Sequence, residues 1–371
     1  MTNGSSSVPK IAIDARMVFE RPHGFSRYVC RMAQALGFLK SRGTLHFHPV
    51  FLTNESHRGE DFFGFETYRV RAPFLSLREL IEIPRALKKI SPAFYHSPTF
   101  SSLLYSPCPT LITVHDLNHL QFGNWKQNFY YEFLLRRFIQ KSKLLLTDSQ
   151  FSRTELAQWL DMSEDEIRIL DQALEDRFQT TVSDSELMKV LSHFNLRQGD
   201  YFFCLSNAKP HKNLAALVAG FDIYRQQKAP FLPLIMNVPA FSDAHGVQFV
   251  EKLTDLEAHA LFQGARACFF PSLYEGFGLP PVEAAVCGAP IVVSRIPPHV
   301  ESLGALSPEE IRWVEPKNIQ GWARAFHEAT QGQLKAPSPE SRAKLLDRFS
   351  LARMGESLDR IYDYMLKIGE T

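Results

Sequence analysis

Two glutamates, Glu275 and Glu283, stand eight positions apart in the segment YEGFGLPPVE, with Gly276, Gly278 and a Pro-Pro pair between them. A carboxylate only accepts hydrogen bonds, so each glutamate can bind a pair of hydroxyl groups on a sugar or a ribose. The glycines allow main-chain N–H groups to approach a ligand closely. Residues of these types at this spacing predict a site for a polyhydroxylated ligand.

The sequence on either side of this segment predicts how it is positioned. The run ACFFP, from Ala267, has the length and content of a buried strand, and PPVEAAVCG has the pattern of a helix that starts with proline and ends at Gly288. The amino end of that helix adds a partial positive charge, which suits phosphate or sugar oxygens. Two other interpretations stay open. Glu283 in a first helical turn would gain about 0.3–1 kcal/mol from the helix dipole alone, and Glu275 would then be a solvated loop residue.

A lysine, Lys212, follows a second strand-like run. The segment SNAKPHKNLAALVAGF comes after YFFCLS, which begins at Tyr201, and it opens a helix-like pattern. An ammonium group near a helix amino end can neutralise the charge of a diphosphate leaving group. The alternative is a surface lysine in a solvated loop.

A histidine and an aspartate, His115 and Asp116, end the strand-like run TLITV. Ligand groups in parallel sheets lie at the carboxyl ends of the strands, so these residues are candidates for a binding site. His115 and His119 also have the HxxxH spacing of some zinc sites, but that arrangement needs a helix and these residues leave a β-type run. A structural histidine with satisfied hydrogen bonds is the other alternative.

Strand-like and helix-like runs alternate along both halves of the chain. The first half carries KIAIDA, LHFHPVFL, TLITV, LLLT and IRIL; the second carries YFFCLS, PLIM, VQFV, ACFFP, APIVVS and IRWV. Such alternation predicts parallel sheets with helices on both faces. A polar stretch from Asp171 to Asp200 is the predicted linker region, and a length of 371 residues also favours two domains. Two doubly wound halves would place a ligand site in the cleft between them.

Composition excludes some classes of function. Lys plus Arg number 41 and Asp plus Glu number 40, so any polyanion site must be local, and no nucleic-acid partner is expected. The five cysteines form no CxxC pair, which indicates buried thiols in a reducing compartment. The start MTNGSSSVPK lacks the apolar core of a signal peptide, and no run of about 18 apolar residues occurs. These features predict a soluble, cytoplasmic protein.

The longest motif resembles that of a known family. FFPSLYEGFGLPPVEAAVCGAPIVVS is similar to the signature of family 4 retaining glycosyltransferases (group 1 glycosyltransferases) of the GT-B fold, whose two glutamates flank a donor nucleotide-sugar. The resemblance implies that Glu275 contacts hydroxyl groups of the donor sugar and that Glu283 holds the ribose. It also implies that the main chain contacts the sugar and phosphate at Gly276, Phe277, Gly278 and Leu279.

A second segment, SNAKPHKNL, resembles the phosphate loop of the same family, and Lys212 matches its lysine. Ser206 and Asn207 stand where the family usually has a glycine and an arginine. That departure weakens the expected charge clamp, and the resemblance leaves Asn207, Lys209 and His211 as donor-binding candidates, with Lys209 or His211 supplying part of the charge.

Two segments of the first half also resemble the family. VHDLNH is similar to a His-Asp turn whose histidine lies against the donor sugar and phosphate, which implies such a role for His115 with Asp116 beside it. HGFSRYVCRM places Gly24 and Phe25 at the start of the first helix, where their main-chain N–H groups would face the diphosphate. Ser26 stands where a second glycine is usual.

These observations lead to one expected architecture and activity. The fold is α/β, of GT-B architecture, with two doubly wound Rossmann-like domains that face a cleft. Residues 1–182 form the acceptor-side domain, residues 183–352 bind the nucleotide-sugar, and the C-terminal helix in 353–371 crosses back onto the first domain. The resemblance implies a retaining hexosyltransferase that uses GDP-mannose or a UDP-sugar, with a saccharide or lipid-linked acceptor, in cell-surface polysaccharide or lipopolysaccharide assembly. No DxD-type metal motif occurs, so neither a metal nor another cofactor is expected.

Other classes of function stay open. A sugar-nucleotide epimerase or a phosphorylase can use the same architecture, Ser206 and Asn207 suit a binding protein with a degenerate site, and HDLNH would suit a zinc hydrolase. The segments NWKQNFYYEFLLRRFIQKSK, from Asn124, and LSLRELIEIPRALKKI, from Leu75, are basic and amphipathic. Such surfaces can rest on anionic lipid at the inner face of a membrane. A core helix with solvated lysines is the alternative.

Overall fold

A computed structural model describes residues 8–18, 24–54, 62–101, 103–123, 135–227 and 231–369. The chain divides into two compact units. The first comprises Met1–Ala173 together with Phe349–Thr371, and the second comprises Leu174–Arg348. The sequence placed the corresponding boundaries after residues 182 and 352.

A parallel sheet of seven strands forms the centre of the first unit, in the order β3-β2-β1-β4-β5-β6-β7. The strands are β1 Lys10–Asp14, β2 His48–Thr53, β3 Glu66–Arg69, β4 Phe94–Ser97, β5 Thr110–Thr113, β6 Leu144–Thr147 and β7 Ile167–Ile169. Inner strands such as β6, LLLT, are buried throughout because helices cover both faces of the sheet. The strand order reverses between β1 and β4, so ligand-binding loops are expected at that point.

Helices from both ends of the chain cover this first sheet. They are α1 Gly24–Ser41, α2 Glu79–Ile90, α3 Asn118–Phe122, α4 Arg136–Ile139, α5 Gln150–Leu160 and, at the far end of the sequence, α13 Leu351–Gly369. α13 packs closely on α1: a Cβ added at Gly355 would lie 2.9 Å from the carbonyl oxygen of Ala35. The hydroxyl of Tyr362 lies 2.7 Å from Nδ1 of the buried His96. The expected return of the last helix to the first domain is confirmed.

The second unit contains a parallel sheet of six strands in the order β10-β9-β8-β11-β12-β13. The strands are β8 Phe202–Cys204, β9 Leu234–Met236, β10 Val247–Phe249, β11 Ala267–Phe270, β12 Ile291–Ser294 and β13 Ile311–Val314. The helices are α6 Asp184–His193, α7 Leu214–Gln227, α8 Asp255–Gly264, α9 Leu279–Val286, α10 Pro297–Ser302, α11 Ile319–Thr330 and α12 Pro339–Arg348. Stacked rings of Phe269 and Phe326, 4.0 Å apart, lie in its core. Here the strand order reverses between β8 and β11.

Three elements were not expected from the sequence. β3 and β4 complete the first sheet, and α6 lies inside the stretch that was interpreted as a linker. Ser183 caps α6 by accepting a hydrogen bond from the N–H of Glu186. A short helix can form in this polar stretch because a cap and one narrow apolar face are enough once the face packs on the unit.

The five cysteines are free, and three of them, Cys204, Cys268 and Cys287, are buried. Within the described ranges, no helix combines the length and apolar character needed to cross a membrane. Part of the basic segment that begins at Asn124, residues 124–134, lies outside the described residues.

Candidate functional site

Two loops of the second unit meet where its strand order reverses. One follows β8 and contains Lys212; the other follows β11 and contains Glu275. The N–H of Leu273 donates to the carbonyl oxygen of His211 at 2.7 Å, and the side-chain amide of Asn213 donates to the carbonyl oxygen of Pro271 at 3.0 Å. Two segments that the sequence marked separately therefore form one site, at the edge where ligands bind in such sheets.

An ion pair between Lys212 and Glu275 lies at the centre of this site. The ammonium nitrogen Nζ is 2.6 Å and 2.8 Å from the two carboxylate oxygens, and the Ser272 hydroxyl donates to Oε1 at 2.6 Å. The two side chains are only 15% and 13% exposed. Neither residue is therefore a solvated loop residue, and the interpretations that treated them so lose their basis.

The charge state of Glu275 follows from its neighbours. Burial by itself would raise the pKa of its carboxyl group, but the ammonium of Lys212 and the Ser272 hydroxyl together hold that pKa below its usual range. Glu275 is therefore ionised at neutral pH. A negative acceptor and a positive donor are held side by side, as binding of a sugar next to a phosphate requires.

The backbone around Lys212 is fixed by Asn213. The lysine ends a short 3₁₀ turn, Pro210–Lys212, and Asn213 follows in a left-handed conformation with φ of 54°. Asparagine tolerates this conformation better than most residues. Its amide donates to the carbonyl oxygens of Pro271 and Pro316, at 3.0 Å and 2.8 Å. The lysine side chain is thus presented from an anchored turn.

The glycine turn leads from Glu275 into α9. Gly278 has φ of 84° and precedes the first helical residue, Leu279. The next two positions are Pro280 and Pro281, which have no N–H, so the donors at the start of α9 come from Gly278 and Leu279. Phe277 and Gly278 are both buried, whereas Leu279 is half-buried. This geometry agrees with an anion site formed by main-chain amides.

Glu283 is the fifth residue of α9 and is 6% exposed. It lies beyond the first helical turn, where the effect of the helix dipole falls off. The explanation of Glu283 by the dipole alone is therefore wrong. The role of Glu283 at a ribose stays a prediction.

The loop after β8 carries Ser206 and Asn207 where the family usually has a glycine and an arginine, and both residues form hydrogen bonds within the second unit. The N–H of Ser206 donates to the side-chain oxygen of Asn237 at 2.8 Å, and the side-chain oxygen of Asn207 accepts from the N–H of Lys209 at 3.1 Å. Asn207 and Lys209 are exposed, whereas His211 is buried and 5% exposed. Lys209 is consequently better placed than His211 to bring additional charge to an incoming anion.

In the first unit, the structure brings Phe25 and His115 together. Their rings stack with centroids 5.2 Å apart. Nδ1 of His115 lies 2.7 Å from the Asp148 carboxylate, and Nε2 lies 3.0 Å from the carbonyl oxygen of Pro98. Both partners only accept hydrogen bonds, so both ring nitrogens carry a proton. Burial lowers the pKa of His115, but Asp148 outweighs this effect and the pKa is raised.

These contacts bear on the alternatives for His115. Both ring nitrogens are engaged with oxygen atoms, so neither is available to a metal together with His119. In the described residues, no group of three or more His, Cys, Asp or Glu side chains is arranged to hold a metal ion. The environment is that of a satisfied structural histidine, and a role at the donor sugar stays a prediction.

The other first-unit candidates occupy helix starts. Asp116 accepts a hydrogen bond from the N–H of Asn118 at 3.0 Å and so supports the start of α3. Gly24 begins α1, and no atom of the described part of the chain lies within 4 Å of the place where its side chain would stand. Ser26, in place of the family's second glycine, is fully buried and donates to the carbonyl oxygen of Met17 at 2.6 Å.

A buried charge cluster lies beside the strand reversal of the first sheet. The Arg16 guanidinium is fully buried; it donates to the Asp14 carboxylate at 2.7 Å and to the Glu79 carboxylate at 3.1 Å. The hydroxyls of Tyr95 and Ser101 donate to the same two carboxylates at 2.9 Å and 3.0 Å. Each charge in this network is paired, which indicates a structural role.

Family profiles match both units. The family described as Glycosyl transferases group 1 matches residues 196–346, and the family described as Glycosyltransferase Family 4 matches residues 23–173. The chain belongs to the group 1 / family 4 glycosyltransferases. The resemblance that the glutamate segment carried is confirmed, and it extends over both units of this family member.

Curated relatives and solved structures agree with this assignment. O-antigen chain mannosyltransferase B of Escherichia coli is 28% identical over 235 residues, 59% of this chain and 61% of the relative. O-antigen chain mannosyltransferase RfbU of Salmonella typhimurium is 26% identical, over 59% and 60%. This family member thus spans about three fifths of the length of these relatives.

The structure of the Anabaena protein HepE in complex with UDP-glucose superposes on this family member with a TM-score of 0.71. The identity is 14%, and the match covers 96% of this chain and all of the HepE chain. This similarity confirms the expected α/β fold of the GT-B class.

The sequence patterns did not identify three polar residues of these sites. Ser272 and His299 contact or lie near Glu275, and Asp148 pairs with His115. Ser272 and Asp148 follow closely on the carboxyl ends of β11 and β6, whereas His299 lies farther on, within α10. The strand-end rule that selected His115 would have selected Ser272 and Asp148 as well, but not His299.

Proposed function

We propose that this chain is a retaining hexosyltransferase that moves a sugar from a nucleoside diphosphate sugar to a saccharide or lipid-linked acceptor. The observation that carries the proposal is the Lys212–Glu275 pair beside the glycine turn, at the strand reversal of the second sheet. Relatives named as O-antigen mannosyltransferases support GDP-mannose as the donor, and a structural neighbour bound to UDP-glucose supports a UDP-sugar. Cell-surface polysaccharide or lipopolysaccharide assembly is the corresponding role.

In this reaction the bond between the anomeric carbon and the phosphate oxygen breaks, and a new bond forms to the acceptor hydroxyl oxygen. Negative charge grows on the leaving diphosphate, where Lys212 and the N–H groups of Gly278 and Leu279 stabilise it. Glu275 binds sugar hydroxyls. Retention follows when the acceptor attacks from the face that the diphosphate leaves, and the leaving phosphate oxygen takes the acceptor proton. The positive charge for the leaving group comes from the chain, so the proposal requires no metal.

A panel of GDP-, UDP- and ADP-sugars tests the proposal. The cognate donor at about 100 times its dissociation constant is expected to raise the free energy of unfolding by about 2.7 kcal/mol. With an acceptor extract, the same donor is expected to give free nucleoside diphosphate and a product with the anomeric configuration of the donor, measured by NMR. Binding without transfer to any acceptor would indicate a binding protein. A changed sugar nucleotide without an acceptor would indicate an epimerase.

We further propose that a surface on α2 contacts anionic lipid, where a lipid-linked acceptor would lie. This α2 surface combines two strongly exposed apolar side chains, Leu77 at 85% just before the helix and Ile81 at 57% within it, with the basic residues Arg85, Lys88 and Lys89. The ammonium of Lys88 lies 5.7 Å from the ring centroid of the exposed Tyr105, which extends the surface. The opposite face of α2 is buried in the first unit, so the helix is also part of the core.

The chemistry of the α2 surface supports lipid rather than a protein as its partner. Exposed leucine and isoleucine side chains lie beside cations that form no ion pair with any described residue. This combination matches a membrane interface, where apolar groups enter the acyl region and cations meet phosphate. Glu82, the acid next to these cations, accepts a hydrogen bond from the N–H of Arg71 and lies 3.8 Å from Arg78, so its charge is partly compensated.

Sedimentation with vesicles checks this membrane proposal. The protein is expected to bind vesicles that contain phosphatidylglycerol more strongly than phosphatidylcholine vesicles, because each cation near an anionic surface contributes about 1 kcal/mol. Replacing Arg85 and Lys88 by glutamate should abolish the difference. Replacing exposed Lys189 and Lys317 of the second unit by glutamate changes the net charge by the same amount. This variant should keep the stronger binding to vesicles that contain phosphatidylglycerol. Equal losses from both double variants would contradict a role for the α2 surface.

A further inference from the structure

His299 lies behind the glycine turn with one ring nitrogen unused. The side chain is fully buried. A Cβ added at Gly278 would lie 2.5 Å from Cδ2 and 2.9 Å from Nε2 of its ring. The imidazole therefore packs directly against the main chain of residue 278, and only glycine leaves room for it. Within the described residues, Nε2 has no hydrogen-bond partner.

The other ring nitrogen fixes the tautomer. Nδ1 lies 3.0 Å from the carbonyl oxygen of Ser294, which can only accept, so Nδ1 carries the proton. Burial keeps the ring neutral by lowering the pKa of His299, although the Glu275 carboxylate opposes that shift. Nε2 thus presents a lone pair to the turn. A buried acceptor that lacks a partner calls for an explanation, and here it is aimed at the segment assigned to the donor.

We propose that His299 is a positioning residue for the glycine turn, and that its Nε2 accepts a hydrogen bond when the donor nucleotide is bound. The inference rests on the proposed function, since it needs a donor at this turn. The hydrogen atom comes from a main-chain N–H of the turn or from a hydroxyl of the donor sugar. In the bound state Nδ1 stays bonded to the end of β12, while Nε2 is bonded to the turn or to the donor.

Nitrogen NMR on protein labelled with ¹⁵N-histidine tests the proposal directly. His299 is one of thirteen histidines, and the signal missing from the His299→Gln spectrum assigns it. The free protein is expected to show a protonated Nδ1 and an unprotonated Nε2. Saturating GDP or UDP should move the Nε2 resonance toward that of a hydrogen-bonded nitrogen if the turn supplies the hydrogen. A shift only with the sugar nucleotide assigns it to the sugar. An Nε2 resonance unmoved by either would overturn the proposal.

Two variants separate positioning from simple packing. In His299→Asn the amide reaches the Nδ1 position and keeps the bond to Ser294, but the place of Nε2 is empty; in His299→Gln an amide oxygen can occupy that place. We expect His299→Asn to raise the KM for the donor about tenfold, the effect of one lost hydrogen bond, with kcat and the acceptor KM unchanged. His299→Gln should restore most of the donor KM. Equal effects of the two variants, or an unchanged donor KM in His299→Asn, would contradict the proposal.

Failure of this inference can be distinguished from failure of the proposed function. If the wild-type protein transfers no sugar from any donor, the proposed function is wrong. If it transfers sugar while His299→Asn, shown to be folded by its melting temperature, keeps the wild-type donor KM, only the role of His299 is wrong.

Discussion

Replacing Lys212 by methionine is expected to lower the turnover number about 10²–10³-fold. Methionine keeps much of the length and volume of the side chain but removes the charge that meets the leaving diphosphate, and loss of one such electrostatic contact has effects of this size. Glu275→Gln should have a smaller effect, mainly on the donor KM, because it weakens hydroxyl binding and leaves the cation in place. Steady-state rates with the cognate donor give both values.

Lys212→Met is also expected to change the stability of the protein in a way that depends on pH. In the wild type, the lowered pKa of Glu275 means that its stabilising contribution is present above the unfolded pKa of about 4.3 and is lost as the pH falls through the folded pKa. Lys212→Met leaves a buried carboxylate without its cation, which costs about 3 kcal/mol at pH 7. Urea unfolding should show a smaller difference from wild type at pH 4.

The double variant Lys212→Met with Glu275→Gln serves as the matched control. It should recover most of the lost stability, since no buried charge is left unpaired, but it should not recover turnover. Turnover near the wild-type value in Lys212→Met would reject the assignment of the leaving-group cation.

Replacing Arg16 by methionine is expected to destabilise the first unit by about 3–5 kcal/mol. The substitution leaves the Asp14 and Glu79 carboxylates buried next to each other without their shared cation. Since total stabilities are about 5–15 kcal/mol, the loss is a large fraction. Urea unfolding measures it, and the loss should shrink toward pH 5, where a raised carboxyl pKa allows one of the two acids to take up a proton.

Two variants control this second prediction. Arg324→Met removes an exposed arginine from α11 and should change the free energy of unfolding by less than about 0.5 kcal/mol. Adding Asp14→Asn and Glu79→Gln to Arg16→Met should recover part of the loss. An unfolding free energy of Arg16→Met within about 1 kcal/mol of wild type would mean that the cluster contributes little.

Much of the fold was predictable because buried parallel strands appear in the sequence as short apolar runs. LLLT, ACFFP and APIVVS each became a strand, and the glycine turn lies where the strand-to-helix pattern placed it. β3, with the sequence ETYR, was missed because it is a half-exposed edge strand whose side chains alternate in no clear way. β4, FYHS, is fully buried, but its His96 interrupts the apolar run.

The site was predictable in its parts and less so in its contacts. Glu275 and Lys212 were identified from local patterns 63 positions apart, whereas their ion pair depends on β8 and β11 being neighbours, which the spacing alone does not specify. Asp148 lies at a strand end that the sequence shows, but its pairing with His115 and the contact of His299 with Gly278 involve partners that are distant in sequence. Hydrogen bonds of this kind are set by tertiary packing, which a periodic pattern does not record.

Helix α13 closes the first unit from the far end of the chain. During synthesis, Met1–Ala173 leaves the ribosome first, but the helix that covers its sheet emerges only after the whole of Leu174–Arg348. Until then, the apolar side chains that pack against Leu358 and Met365 are uncovered, and His96 lacks its tyrosine partner. The second unit is continuous in sequence and can fold while it is translated. The part of the protein made first is therefore the part that finishes folding last.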